Sequence, residues 1–149
     1  MVIYTIGYEG MNAKMFMAYL KKNQISFLAD VRERPLSRKK GFSKNAMIEM
    51  LETDGIKYKN FKSLGTTKPM RDELIETKNY DKFFSTYKKM LSDQTDALQE
   101  LLELIYGGET IVLLCFEKEA EKCHRSAIAT ELKKMSDLPI EIKNLKSFL

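Results

Sequence analysis

Both cysteines and the only histidine of this 149-residue chain share one short stretch, Leu-Cys-Phe-Glu followed by a charged loop and Cys-His-Arg, spanning Cys115, Glu117, Cys123, His124 and Arg125. These residue types offer thiol nucleophiles, an imidazole base, a carboxylate for proton transfer and a guanidinium that grips phosphate or carboxylate. The apolar run Ile111 to Leu114 reads as a buried strand and the residues after Cys123 as a helix, so the motif occupies a strand-to-helix junction. Unpaired N–H groups and the positive end of a helix make such a junction suitable for an anion. A thiol is also easier to ionise there.

Each residue has a plainer use. Cys115 ends an apolar strand, and Cys123 falls on the helical stripe Ala120, Cys123, Ala127, Ile128, Leu132, so both thiols suit a core. Neighbours on a helix point about 100° apart, which keeps His124 and Arg125 from both facing the atom that Cys123 faces. The same adjacency, with a spacing unlike any standard zinc pattern, argues against a metal site. Gly7 and Gly10 form neither a dinucleotide fingerprint nor a phosphate loop, and no cofactor is expected.

A second group of candidates lies in the first third of the chain. Asp30 and Arg32 end an apolar run, with Asp30 a general base or simply the partner that holds Arg32. From Arg32 to Lys44, six basic side chains (Arg32, Arg34, Arg38, Lys39, Lys40, Lys44) face one acid, Glu33. That segment carries +5 of an overall +4, leaving the remainder near −1. Local basicity of this kind attracts phosphate, nucleic acid or an acidic partner, with Tyr8 or Phe42 available to stack on a base. Solvated lysines that keep the protein soluble are the bland reading.

The positioning elements alternate. Strands are expected at Val2–Ile6, Ser26–Val31, Ile56–Phe61, the run ending at Cys115, and Ile140–Ile142. Between them fall a helix capped by Asn12, another capped by Ser43 with Phe42 and Met47 as a staple, and a helical middle that stops at Gly107-Gly108. Thr66-Thr67-Lys68-Pro69 reads as a loop. The order implies one α/β domain over residues 1–149, a three-layer sandwich with a mainly parallel sheet and helices on both faces. Ligands of such sheets bind beyond the carboxyl ends of the strands, where Gly7-Tyr8-Glu9-Gly10, Asp30 to Pro35, Leu64-Gly65 and the cysteine motif all fall.

Those motifs, in order, are Thr-Ile-Gly-Tyr-Glu-Gly, Asp-Val-Arg-x-x-Pro-x-Ser-Arg, Gly-Phe-Ser-Lys, Gly-Ile-x-Tyr, Leu-Gly and Leu-Cys-Phe-Glu with Cys-His-Arg. Together they closely resemble domain-of-unknown-function family 488 over nearly the whole chain. The resemblance marks Asp30, Arg32, Pro35, Ser37, Cys115, Glu117, Cys123, His124 and Arg125 as matching positions, and implies no settled reaction. A weaker likeness to rhodanese-like and cysteine-phosphatase domains implies architecture alone, because nine residues part Cys115 from Arg125 and the loop holds Glu117, Glu119 and Glu121.

The reading is therefore an enzyme acting on an anionic, nucleotide or nucleic-acid phosphate substrate. Cys115, Cys123, His124, Asp30 and Glu117 would be catalytic, and Arg32, Arg125, Tyr8, Ser37 and Arg38 would bind. The alternative is a nucleic-acid-binding or protein-interaction module built on the 32–44 loop. No apolar run reaches membrane-spanning length, and the Met1 to Gly7 segment lacks signal-peptide character. Two cysteines make no disulfide framework, so a reduced cytoplasm is the expected setting.

Overall fold

The described residues of this protein form a sheet of five strands in the order β3-β2-β4-β1-β5, every neighbouring pair parallel. A computed structural model describes residues 1–146. The strands are β1 (Val2–Gly7), β2 (Phe27–Asp30), β3 (Lys57–Asn60), β4 (Ile111–Cys115) and β5 (Glu141–Leu145). Among the described residues six α-helices connect them: α1 (Ala13–Lys22), α2 (Lys44–Glu52), α3 (Lys68–Thr77), α4 (Tyr80–Leu91), α5 (Thr95–Tyr106) and α6 (Arg125–Met135). This is the expected α/β sandwich.

Strand alternation divides the core into two layers. On one face Ile6, Leu28, Val112 and Leu114 pack against Phe16 and Leu20 of α1 and Met47 and Leu51 of α2. On the other, Ile3, Ala29, Leu113 and Cys115 meet Tyr87 of α4, Leu101 of α5 and Ile128 of α6. The central strands β2 and β4 are buried along their whole length, whereas β3 and β5 at the edges mix exposed and half-buried positions. That explains why the central runs read so clearly from sequence.

Local chemistry sets the element ends. Asn12 caps α1, its side chain accepting from the Met15 N–H at 2.8 Å. Phe42 and Met47 are both fully buried in one layer, as a staple requires, but Ser43 makes no cap bond. Its hydroxyl donates to the Ser37 carbonyl and accepts from the Ser37 N–H. The stretch from Thr66 to Pro69 is only partly loop: Thr67 caps α3, and Pro69 stands in its first turn, where a missing N–H costs nothing. No α3 residue is buried, so the helix lacks the apolar stripe that would announce it.

Parallel strands bring four carboxyl ends to one rim. Gly7 lies opposite Cys115, and Asp30 opposite Leu114. Among the described residues, no helix is long and apolar enough to cross a membrane.

Candidate functional site

The rim opens into a cavity of about 330 Å³, a volume typical of small-molecule sites. Cys115, Cys123 and His124 line it together with Tyr8, Arg32, Glu117 and Phe116. A larger cleft of about 690 Å³ between α4 and α6 carries neither cysteine nor the histidine, and its lining offers no comparable reactive cluster. The candidate site is therefore the smaller cavity.

At the end of β4 the two sulfurs are joined in a disulfide, and among the described residues no cysteine is free. Both are buried. In this state neither sulfur is a nucleophile, and thiol chemistry begins only after reduction. The backbone also corrects the helical placement of Cys123. A short 3-10 turn spans Ala120–Lys122, Cys123 is extended at φ −129° and ψ 144°, and α6 starts at Arg125. Outside the helix, the 100° rule does not apply. The Cys123 Sγ and His124 Nδ1 atoms converge to 3.5 Å.

His124 Nε2 lies 2.6 Å from the Val31 carbonyl oxygen. A carbonyl only accepts, so Nε2 carries the hydrogen and Nδ1 keeps its lone pair toward the sulfurs. Burial pushes the imidazole down to about 4, only partly opposed by the Val31 bond, with the Arg125 and Arg71 charges acting in the same direction as burial. The ring is neutral at physiological pH. The edge of Tyr87 packs at 5.4 Å, fixing its plane.

Arg125, expected as an anion clamp, is fully buried, and its donors are turned to groups of the protein itself. Its Nε donates to Thr5 Oγ1, its Nη1 to the Glu117 carbonyl and toward Cys115 Sγ at 3.0 Å, and its Nη2 to the Lys118 carbonyl. Among the described residues no carboxylate stands within ion-pair distance of it. Burial lowers it to about 10, against the more distant charges of Glu117, Glu121 and Glu119, so it remains a cation. Gly7 permits this packing: a Cβ there would stand 1.6 Å from the Glu117 carbonyl oxygen.

Arg32 is also committed. It bonds Asp30 through Nε and Nη2 at 2.8 and 2.7 Å, and through Nη1 it reaches the Phe42 carbonyl and the Tyr8 hydroxyl. Burial works against its charge, yet the Asp30 bonds and charge win and hold it above its ordinary range. Asp30 is fully buried and takes a further bond from the Tyr58 hydroxyl, so its oxygens are occupied by structure. Tyr8 is sandwiched between Phe42, stacked at 4.6 Å, and Phe116, edge-on at 5.4 Å. The aromatic ring left open to a ligand is Phe116, 45 % exposed.

Glu117 is exposed at the cavity mouth, where partial burial and then the neighbouring Glu9 charge raise its carboxyl above the usual range, against Arg125 and Lys122. Ser37 and Arg38 do not line the cavity. Ser37 ties the loop turn to Ser43, and Arg38 is exposed. Lys39 is no solvated lysine: its ammonium bonds the Tyr8 and Met11 carbonyls, pinning the basic loop to the β1 loop.

Sequence reasoning missed Lys122, Arg71 and Phe116 at this site and gave Arg34 no role of its own. Arg34 and Lys122 are exposed on the cavity lining, with no side-chain hydrogen bond or ion pair among the described residues. Arg71 lines it too, held by Glu33 at 3.1 Å and by the Thr66 carbonyl. Gly65 allows the close pass here, since a Cβ would lie 2.3 Å from the Glu33 nitrogen. Arg34 was visible as the second arginine of Arg-Glu-Arg; nothing in the sequence singled out Arg71 or Lys122.

The profile of the family described as Domain of unknown function DUF488 matches residues 12–132. The chain belongs to this family. No curated protein and no solved structure matches it. The matched span takes in Asp30, Arg32, Cys115, Cys123, His124 and Arg125, and stops short of Tyr8 and β5.

Proposed function

We propose that this DUF488 protein is an enzyme acting on a small phosphate-bearing anion of nucleotide type, bound in the 330 Å³ cavity. One observation carries the reading. The Cys115, Cys123 and His124 cluster faces the same cavity that Arg34 and Lys122 line with cationic groups left unpaired among the described residues. The anion-binding role assigned by sequence to Arg32 and Arg125 passes to these two, because buried guanidiniums bonded to the protein have little left for a ligand. Phe116 supplies an exposed face for a flat or apolar part of the substrate, beside Leu74 and Ile75. Glu117 stands at the mouth for proton transfer.

Calorimetric titration with inorganic phosphate, a nucleoside monophosphate and a short oligonucleotide tests this. Replacing both cations (Arg34→Gln, Lys122→Gln) should weaken nucleotide binding by about tenfold or more, since a charge-assisted hydrogen bond contributes about 1.5–3 kcal/mol. Unchanged affinity in that double variant, or no binding by the original protein, rejects the reading. A second reading, nucleic-acid binding, draws on the exposed side chains of Arg38, Lys40 and Lys44 on the same loop. It predicts that the oligonucleotide alone binds. Neutralising these three should then flatten the log–log salt slope by about 0.7–0.9 for each phosphate no longer neutralised.

A further inference from the structure

We propose that in the reduced protein Cys115, Cys123 and His124 bind a divalent transition metal, zinc by ligand type, with the fourth coordination position open to the cavity. This names a cofactor for the site of the proposed function and rests on that reading only for what the open position serves.

Four observations converge. The two sulfurs and an imidazole nitrogen all lie within 4.8 Å of one another, and all three residues are buried. The 3.5 Å between Cys123 Sγ and His124 Nδ1 matches the edge of a tetrahedron whose centre-to-ligand distances are about 2.0–2.3 Å. The Cys115 and Cys123 Cα atoms stand 7.4 Å apart, wider than the roughly 4.4–6.8 Å that disulfides usually span, so the backbone leaves room for an ion between the side chains. His124 then meets the requirement that most metal-bound histidines satisfy: its far N–H is held by the Val31 carbonyl, which fixes the tautomer and aims the lone pair.

The surroundings fit a thiolate site. Arg125 Nη1 reaches Cys115 Sγ at 3.0 Å, a donor to a metal-bound sulfur, and its charge has no carboxylate partner within ion-pair distance among the described residues. Two thiolates balance the dication, and the arginine lies against the Cys115 sulfur. Three protein ligands with a face toward a cavity is the arrangement of catalytic rather than structural zinc. Softness selects the metal: two sulfurs and one nitrogen favour zinc or cobalt over magnesium or calcium.

The chemistry balances. A phosphine reductant and water convert the disulfide to two thiols and phosphine oxide. Each thiol then loses its proton to solvent as it binds, so one metal ion releases two protons.

The test is anaerobic titration of the reduced, desalted protein with Co²⁺, with thiols counted and the fold checked by circular dichroism. One equivalent should produce sulfur-to-cobalt charge transfer and the ligand-field bands of a tetrahedral site, and Zn²⁺ should erase both. Cys115→Ser and Cys123→Ser should each lose part of the charge transfer and about 100-fold or more in affinity. His124→Gln should keep the sulfur bands while binding at least about 10-fold more weakly. Folded protein with two counted thiols and no such spectrum overturns the proposal without any variant. So does a His124→Gln protein with unchanged affinity. Phosphate titration is read separately, so metal binding without phosphate binding would sink the proposed function and leave the metal site standing.

Discussion

Two buried arginines close the two corners of the rim, and they do so differently. At the end of β2, Arg32 meets a carboxylate that is itself fully buried, and the pair is satisfied within the fold. At the end of β4, Arg125 is also buried, but among the described residues its partners are carbonyls, a hydroxyl and a sulfur. The first corner holds its own counter-charge and has no need of a ligand. The second places a cation against the Cys115 sulfur, which can take up negative charge once the disulfide is reduced. The corner we propose as reactive is the one whose cation has no carboxylate within ion-pair distance among the described residues.

The comparison is broken most directly at the β2 corner. Arg32→Met should cost about 3–5 kcal/mol in urea unfolding, because it strands the Asp30 carboxylate in the core. Adding Asp30→Leu should recover a substantial part of that loss, since two apolar groups replace the pair. A double variant as unstable as the sum of its parts would show that Asp30 and Arg32 do not act as a unit.

Arg125→Met should cost less, about 2–3 kcal/mol, because it orphans neutral acceptors rather than a charge. Its signature is local. Amide hydrogen exchange should accelerate in residues 116–123, where the Glu117 and Lys118 carbonyls are left without their donors. A destabilisation equal to that of Arg32→Met, or an unaltered loop, would erase the distinction between the corners.

Sequence resolved the frame better than the corners. Strands β2 and β4 were legible because both faces are covered, which leaves uninterrupted apolar runs. The rim followed from parallel order. The allocation of partners was read only in part: Asp30 was named as a residue that could hold Arg32, and no partner was named for Arg125. Arg32 and Arg125 look alike as clamps in sequence, yet Arg32 is taken up by Asp30, two residues before it. Arg125 is taken up by the Glu117 and Lys118 carbonyls and by Thr5, a residue 120 positions away that only the fold brings near. Cys123 was placed on α6 because it continues that helix's apolar stripe. The 3-10 turn before it buries the same side chain from extended backbone, so the periodicity is met by a residue outside the helix. Helix α3 escaped because none of its residues is fully buried; only half-buried Met70 is packed against the core.

An ion pair at the opposite end of the sheet sharpens the comparison by removing burial from one partner, the cation. Lys57 opens β3, and its ammonium meets Glu109, just before β4, which also accepts from the Ser26 hydroxyl at 2.6 Å. The lysine is largely exposed. If pairing alone set the strength of a corner, this pair would weigh as much as Asp30 and Arg32; solvent screening predicts that Lys57→Gln costs under about 1 kcal/mol. The Lys57 and Ser26 bonds hold the Glu109 carboxyl below its ordinary value of 4.5. A carboxyl depressed on folding stabilises the protein above its unfolded value, and that contribution disappears as pH falls through the folded value. The original protein should therefore be slightly more stable than Glu109→Gln at neutral pH. Their urea midpoints should converge as pH drops below 4.5. A gap that persists or widens in acid would mean that Glu109 acts through its shape or hydrogen bonding rather than its charge, and a pair with an exposed cation would no longer serve as the contrast to the buried corner.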